Sequence, residues 1–395
     1  MAVVIPEYLA GFTFDAAERE RALDLMARLL AHYSDGTTDQ ADGQWREPVA
    51  NYLDKDRWQR EMAQVMHRIP IPVGVSVELL NPGDYKSVRV AGKAVLLTRR
   101  PDGSLDAMIN VCRHRGMQLV PDGCGTARRF TCVYHAWSYG TDGALVGVNG
   151  EDKFGPVDRA DFGLLKLACG ERAGLMFICL TPGVEIDLDD WLGDVLPQLE
   201  SLRLTETVPF STRYLAGPNW KVTADGFLEG YHFASLHPNT VAKTNFSNMQ
   251  AFDSYGPHIR NTYGLKPLAQ AVGTPREQWD PVECLGVTYW LFPGLAVAGG
   301  WRQHTAVSIM LPGDSWELSM TQQTLLMRHE PYDDAERANA RTASDFFYDA
   351  FKDEDYTAQF QVQQGLSSVP DESHIFGRNE PGVQHFHRHL DRLMS

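Results

Sequence analysis

The sequence predicts an α+β protein: an antiparallel β unit followed by a second unit that mixes strands with helices. Three observations carry that expectation. Residues 70–180 break into short β-type runs (KAVLLTRR, AMINVC, LMFICLT) between Pro-Gly, Asp-Gly and Gly-rich turns, the mark of a hairpin-built unit. Residues 205–330 combine a central helix with strands such as VTYWLF and HTAVSIMLP. Helical spacing marks both ends of the chain.

In chain order, FDAAERERALDLMARLLAHY at 14–33 repeats apolar positions at helical spacing with acidic residues in its first turns, which predicts a helix. A polar, Gly-containing link leads into the β unit. TPGVEIDLDDWLGDVLPQLESL reads as a helical connector, and two helical segments, about 333–365 and 381–393, close the chain. The expected organisation is an N-terminal helical extension at 1–44, a β domain at 45–185 and a larger domain at 186–395.

At roughly 150 residues per domain, 395 residues suggest two or three domains with ordinary cores. The apolar content of 43% and charged content of 22% are those of a globular chain. A formal charge of −15 would repel a phosphate backbone, and no basic stripe interleaved with aromatics offsets it, so nucleic acid is excluded as a partner. The longest apolar runs, such as GLMFICL, are too short to span a bilayer, and residues 1–20 lack a secretory pattern. The expectation is no membrane and a cytoplasmic address. Six cysteines are too few for a disulfide scaffold. Cys169 and Cys179 lie in apolar runs and read as small buried hydrophobes, while Cys124 and Cys284 receive no role.

Cys112, His114, Cys132 and His135 form C-x-H, seventeen residues, then C-x-x-H. Two thiolates and two imidazoles could bind zinc, but zinc patterns usually pair Cys with Cys and His with His. Here each loop carries one of each. A Rieske 2Fe-2S cluster divides its ligands in that way, with thiolates on one iron and imidazoles on the other. The loops CRHRGMQL and CVYHAWSYG, with Arg115, Gly116 and Trp137, resemble those of the Rieske non-haem iron oxygenases, the catalytic (alpha) subunit family of ring-hydroxylating oxygenases.

A second constellation lies in NWKVTADGFLEGYHFASLHPNT, where His232 and His237 stand five apart and Glu229 precedes the first by three. Five is a poor same-face helical spacing, so His237 is expected where the helix unwinds ahead of Pro238. Oxygen-activating Fe(II) sites use two His and one carboxylate, leaving positions open for dioxygen. The carboxylate is expected in FKDEDYTAQFQVQQGL. From the residues alone, Asp353, Glu354 and Asp355 compete and an acidic helical cluster is more often a solvated face; the family resemblance selects Asp355.

The resemblance extends over about residues 45–395. It implies a Rieske domain plus a catalytic domain whose antiparallel sheet is flanked by helices (helix-grip, START-like), with a mononuclear Fe(II). It implies a terminal oxygenase using O2 and electrons from NAD(P)H, delivered by a separate reductase, sometimes with a ferredoxin. The implied reaction is mono- or dihydroxylation of a hydrophobic aromatic or alicyclic small molecule, as in aromatic hydrocarbon catabolism. The alternatives are N-demethylation or hydroxylation of a quaternary ammonium compound, or an electron carrier without its own catalysis. Glu229 aligns with the acid that links a mononuclear-iron His of one subunit, here His232, to a cluster His of the next, here His135, which implies a homotrimer. Asp225 stands where many members carry Asn. The pocket is expected among aromatics of 240–320: Phe246, Tyr255, Tyr263, Tyr289, Trp290, Phe292 and Trp301, most of them ordinary core. His385, His387 and His389 alternate along the last helix and are expected at the surface.

Overall fold

The structure, a computed structural model, describes residues 14–395. The first thirteen residues of the expected N-terminal extension lie outside them. The chain forms two compact units: one comprises Gln59–Trp191 with Arg203–Thr205, and the other takes in the chain up to Trp58, Leu192–Leu202 and Glu206–Ser395.

The first unit is antiparallel throughout, as the turn-punctuated sequence implies. Its largest sheet orders Lys166–Leu167, Leu105–Ile109, Lys93–Arg99, Asp84–Val90 and Gly123–Thr126. Two hairpins show why. Asp84–Val90 returns as Lys93–Arg99 through Ala91-Gly92, and Cys169–Arg172 returns as Leu175–Ile178 through Ala173-Gly174. All four loop residues have positive φ, 43° and 80° in the first pair and 50° and 78° in the second. That twist matches the right-handed twist of the flanking strands. A smaller sheet, Arg129–Thr131, Ser138–Gly140 and Leu145–Gly147, packs Phe130, Tyr139 and Leu145 into a core shared with Leu96, Met108, Trp137 and both Cys112 and Cys132.

The second unit is built on seven antiparallel strands: β1 (Val208–Gly217), β2 (Asn245–Tyr255), β3 (His258–Leu265), β4 (Leu285–Leu291), β5 (Leu295–Ala298), β6 (His304–Pro312) and β7 (Ser319–Met327), in the order β1-β7-β6-β5-β4-β3-β2. Five helices matter to it: α1 (Ala16–Asp35), α2 (Trp220–Phe227), α3 (Asp334–Asp349), α4 (Tyr356–Leu366) and α5 (Pro381–Met394). α1 begins with a capping box between Asp15 and Glu18 and stops at Gly36, φ 64°, so its start and stop are written in local chemistry. Between α3 and α4, Ala350–Asp355 forms a π-helical turn.

Two expectations are corrected. Trp45–Pro48 pairs with Ser373–Phe376, so residues 45–58 pack with the C-terminal unit and the division falls at 58/59 rather than 44/45. His387 is not at the surface. It is 1% exposed, because α5 turns Val383, Phe386, His387 and Leu390 inward at helical spacing. Its Nε2 bonds Asp225 Oδ1 at 2.7 Å and its Nδ1 lies 3.5 Å from Glu47. His385 and His389 are half-buried.

Candidate active site

In the first unit, two loops of matching design bring the predicted cluster ligands together. Cys112 N–H donates to Met117 and Gly116 N–H to Cys112; in the other loop Cys132 N–H donates to Trp137 and Ala136 N–H to Cys132. Gly116 has φ 79° and Ala136 φ 57°. Alanine in the left-handed region costs about 1 kcal/mol. The two hydrogen bonds that close the loop hold it there, as is common where backbone positions a site. Cys112 and Cys132 are both 2% exposed and unpaired. The His114 and His135 rings lie 4.7 Å apart, and His114 stacks on Trp137 at 9°.

The donor set fits a Rieske cluster. His114 Nδ1 is buried without a hydrogen-bond partner, a cost removed by a metal ion. Burial, with the charges of His135 and Arg115, lowers the pKa of His114 and so favours the neutral, ligating form. Tyr139, missed in the sequence reading, places its hydroxyl 3.4 Å from Cys112 Sγ and accepts from Arg113 N–H at 3.0 Å. A hydroxyl donated to cluster sulfur is one of the levers on reduction potential.

In the second unit, the two histidines flank a single helical turn. Asn219 caps α2 through Lys221 N–H and the helix ends at Leu228. The chain then passes Glu229-Gly230, where a side chain on Gly230 would meet the Tyr263 ring at 2.7 Å. His232 precedes and His237 follows the turn Phe233–Leu236. Ligating atoms of His232, His237 and Asp355 all lie within 4.8 Å of one another. Asp355 Oδ1 is 3.0 Å from His237 Nε2 and 3.6 Å from His232 Nε2. A facial set of ligands at about 2.1 Å from a metal has neighbours roughly 3 Å apart, so the spacing fits a two-His, one-carboxylate ion.

Each imidazole is held from behind. His237 Nδ1 faces Glu354 Oε2 at 2.6 Å, and Thr240 Oγ1 donates to the same oxygen at 2.5 Å. His232 Nδ1 faces Glu229 Oε1, while Glu229 Oε2 accepts from the Tyr231 and His232 amides. Both carboxylates place the ring proton on Nδ1 and leave Nε2 for a metal. Burial disfavours the charged form of His237, but Asp355 and Glu354 outweigh it and raise its pKa. Glu354, a rival for Asp355, thus stands behind His237, on the ring nitrogen away from Asp355. Asp353 is paired with Lys352 at 2.9 Å on the surface. Asp225 lies apart from the triad's donor atoms, accepting from Tyr52 OH at 2.6 Å and bonded to His387.

The triad opens on a cavity of about 310 Å³. Of the seven aromatics expected there, Tyr263 alone lines it. Tyr289, Trp290 and Phe292 are buried core and Trp301 is 8% exposed; Phe246 packs on Tyr33 and Tyr255 lies against Arg260. The aromatic wall comes instead from Phe227, Phe233, Phe346, Phe347 and Phe351. The run DFFYDAF immediately before the carboxylates could have suggested it. Phe227 meets Phe351 edge-on at 4.5 Å, and Phe346, 39% exposed, stands at the rim.

The Rieske [2Fe-2S] domain family matches residues 70–161, and the ring-hydroxylating alpha subunit (catalytic domain) family matches residues 204–395. The carnitine monooxygenase oxygenase subunit of Escherichia coli K12 is 28% identical over 372 residues, covering 89% of this chain and 94% of that one. The benzene 1,2-dioxygenase alpha subunit of Pseudomonas putida is 31% identical over 236 residues, 57% of this chain and 52% of the relative. Two solved structures share the fold. The quaternary ammonium monooxygenase CntA with L-carnitine has TM-score 0.77 and 21% identity, covering 94% and 99% of the two chains; the Rhodococcus naphthalene 1,2-dioxygenase with indole has TM-score 0.72 and 18% identity, covering 96% and 98%.

Proposed function

Because this chain belongs to the Rieske non-haem iron oxygenases and is a terminal oxygenase component of alpha-subunit type, we propose that Cys112, His114, Cys132 and His135 hold its 2Fe-2S cluster. On the same reading His232, His237 and Asp355 hold its mononuclear iron, and the adjoining cavity binds an apolar small molecule for hydroxylation. The observation that carries this reading is the two-His, one-carboxylate cluster opening on a phenylalanine-walled cavity in a chain that also bears paired Cys/His loops. When bound, the cluster supplies electrons that originate in NAD(P)H and arrive through a reductase, and the iron supplies open positions for O2.

The chain's own side chains do the rest. Glu354 and Glu229 keep the Nδ1 protons of His237 and His232 and fix both rings. The phenylalanines exclude water and give an apolar ring most of its binding surface by burial. Quaternary ammonium substrates are the second reading. They are favoured by the relatives matched along nearly their whole length, the carnitine monooxygenases, and by aromatic faces that can hold a cation.

His237→Ala tests the assignment: the Rieske absorption and its reducibility should persist while mononuclear iron and substrate-dependent O2 uptake are lost. Turnover surviving the change would place the chemistry elsewhere. We further propose a head-to-tail homotrimer in which Glu229 bridges His232 to the partner's cluster ligand. In support, Glu229 and His232 also line a second cavity of about 450 Å³ with Asp225, His374 and Glu380. A heterologous contact of this kind closes into a ring, and a monomeric mass by sedimentation would refute it. Among the described residues no helix is long and apolar enough to cross a membrane, and we propose the cytoplasm as the site of action.

A further inference from the structure

We propose that Arg302 is the carboxylate-reading residue of the substrate cavity, so that the substrate is an anionic amphiphile: an apolar body toward the iron ligands and a carboxylate on the guanidinium. The inference rests on reading this cavity as the oxygenase's substrate site. Arg302 is the one Lys or Arg on the cavity wall among the described residues. Arg99, Arg213, Arg260 and Arg276 each face a carboxylate; Arg302 has none among the described residues. Its Nη2 donates to the carbonyls of Val282 at 2.7 Å and Glu283 at 3.4 Å, neutral acceptors that orient the head without neutralising it. A half-buried cation against apolar surface is costly unless paired, and a planar guanidinium matches a carboxylate edge to edge.

The loop that carries Arg302 is fixed before any ligand arrives. Arg302 N–H donates to Gly299 at 2.9 Å, and Arg328 Nε donates to the Arg302 carbonyl at 3.4 Å. Gly299 has φ 76°, and a Cβ there would lie 2.9 Å from the His304 carbonyl, so the turn needs glycine. The sheet leaves room beneath it: Ala298 pairs with Thr288 on one side and Ala306 on the other, so neither an aromatic nor a long aliphatic side chain stands at these three cavity-lining positions. The same cavity is also lined by Asp355 and Glu229. A carboxylate is drawn to the Arg302 guanidinium, and with that head held there the apolar body is left to the phenylalanine wall.

The test uses the reduced, iron-loaded protein and reads binding rather than turnover, from the electron paramagnetic resonance of the nitrosyl complex at the mononuclear iron. The probes are 3-phenylpropanoate and γ-butyrobetaine, each beside its methyl ester. Wild type should bind at least one of the acids about tenfold or more tighter than its ester. Arg302→Gln should abolish that preference with ester affinity unchanged, and Arg302→Lys should restore part of it. Equal binding of acid and ester by wild type, a preference that survives Arg302→Gln, or a nitrosyl signal that no probe perturbs would each overturn the role of Arg302. Absence of the nitrosyl signal altogether would overturn the oxygenase assignment on which it stands.

Discussion

Glu354 and Asp355 are neighbours in the chain and meet the two nitrogens of one imidazole, Nδ1 and Nε2 of His237. That division of labour was not readable from DED, because a string of acids says nothing of which carboxylate a distant ring will meet. The histidines themselves were readable, since two His beside a Glu and ahead of a proline are a local pattern. Glu354→Gln keeps the shape but weakens the acceptor behind His237. Iron content at the mononuclear site should fall in equilibrium titration by about 10–100-fold in affinity, with the Rieske spectrum unchanged. The same scale holds a second buried cluster that spacing arguments missed. His387 was expected outside because alternate positions never share a helical face; one of the three nevertheless falls on the inner stripe of α5.

At the scale of elements, the π-helical turn Ala350–Asp355 positions the carboxylates. One extra residue per turn rotates the succeeding side chains by about 100° relative to a regular α-helix, so the turn decides which members of the DED run face His237. Inserting one alanine after Lys352, which is exposed, should rotate the residues that follow by about 100° and swing Asp355 away. The expected result is cluster-bearing protein whose mononuclear site no longer retains iron by metal analysis. Turn chemistry made the strands legible, whereas nothing in AFKDED announces a π turn, because its hydrogen-bond slip is decided by packing. The aromatic wall was missed for a related reason. The β4 aromatics Tyr289 and Trp290, and Phe292 just beyond the strand, turned out to be core, and the helix aromatics ahead of the carboxylates carried the lining.

For the whole molecule, buried Glu47, His387 and Tyr52 with half-buried Asp225 join three distant stretches of chain. Burial disfavours the charged imidazole, but Asp225 and Glu47 outweigh it and push His387 from 6.5 up to about 9. Burial also opposes charge on Glu47, yet the His387 hydrogen bond and charge, with Trp45 and Asn51, bring it from 4.5 down to about 2. The raised group stabilises fully below 6.5 and loses that contribution as pH climbs through about 9. The lowered one stabilises above 4.5 and loses its contribution as pH drops toward about 2. Resistance to denaturant should therefore be greatest between 4.5 and 6.5 and decline by on the order of a few kcal/mol by pH 9 to 10. His387→Gln should flatten the alkaline limb in urea titrations. The two-unit plan was visible in the switch from turn-rich strands to mixed elements. The true boundary was not, because pairing of Trp45–Pro48 with Ser373–Phe376 joins segments more than three hundred positions apart.

That pairing makes the cluster-bearing unit an insertion within the other. On a ribosome, both cysteine loops emerge and can close long before Asp355 or the late strand has been made. On the proposed ligand assignment, the sulfide-bridged irons can therefore be installed in a nascent polypeptide, whereas the lone ferrous ion has no complete cage until translation is nearly finished. The thread of the backbone thus makes one proposed set of ligands available before the other.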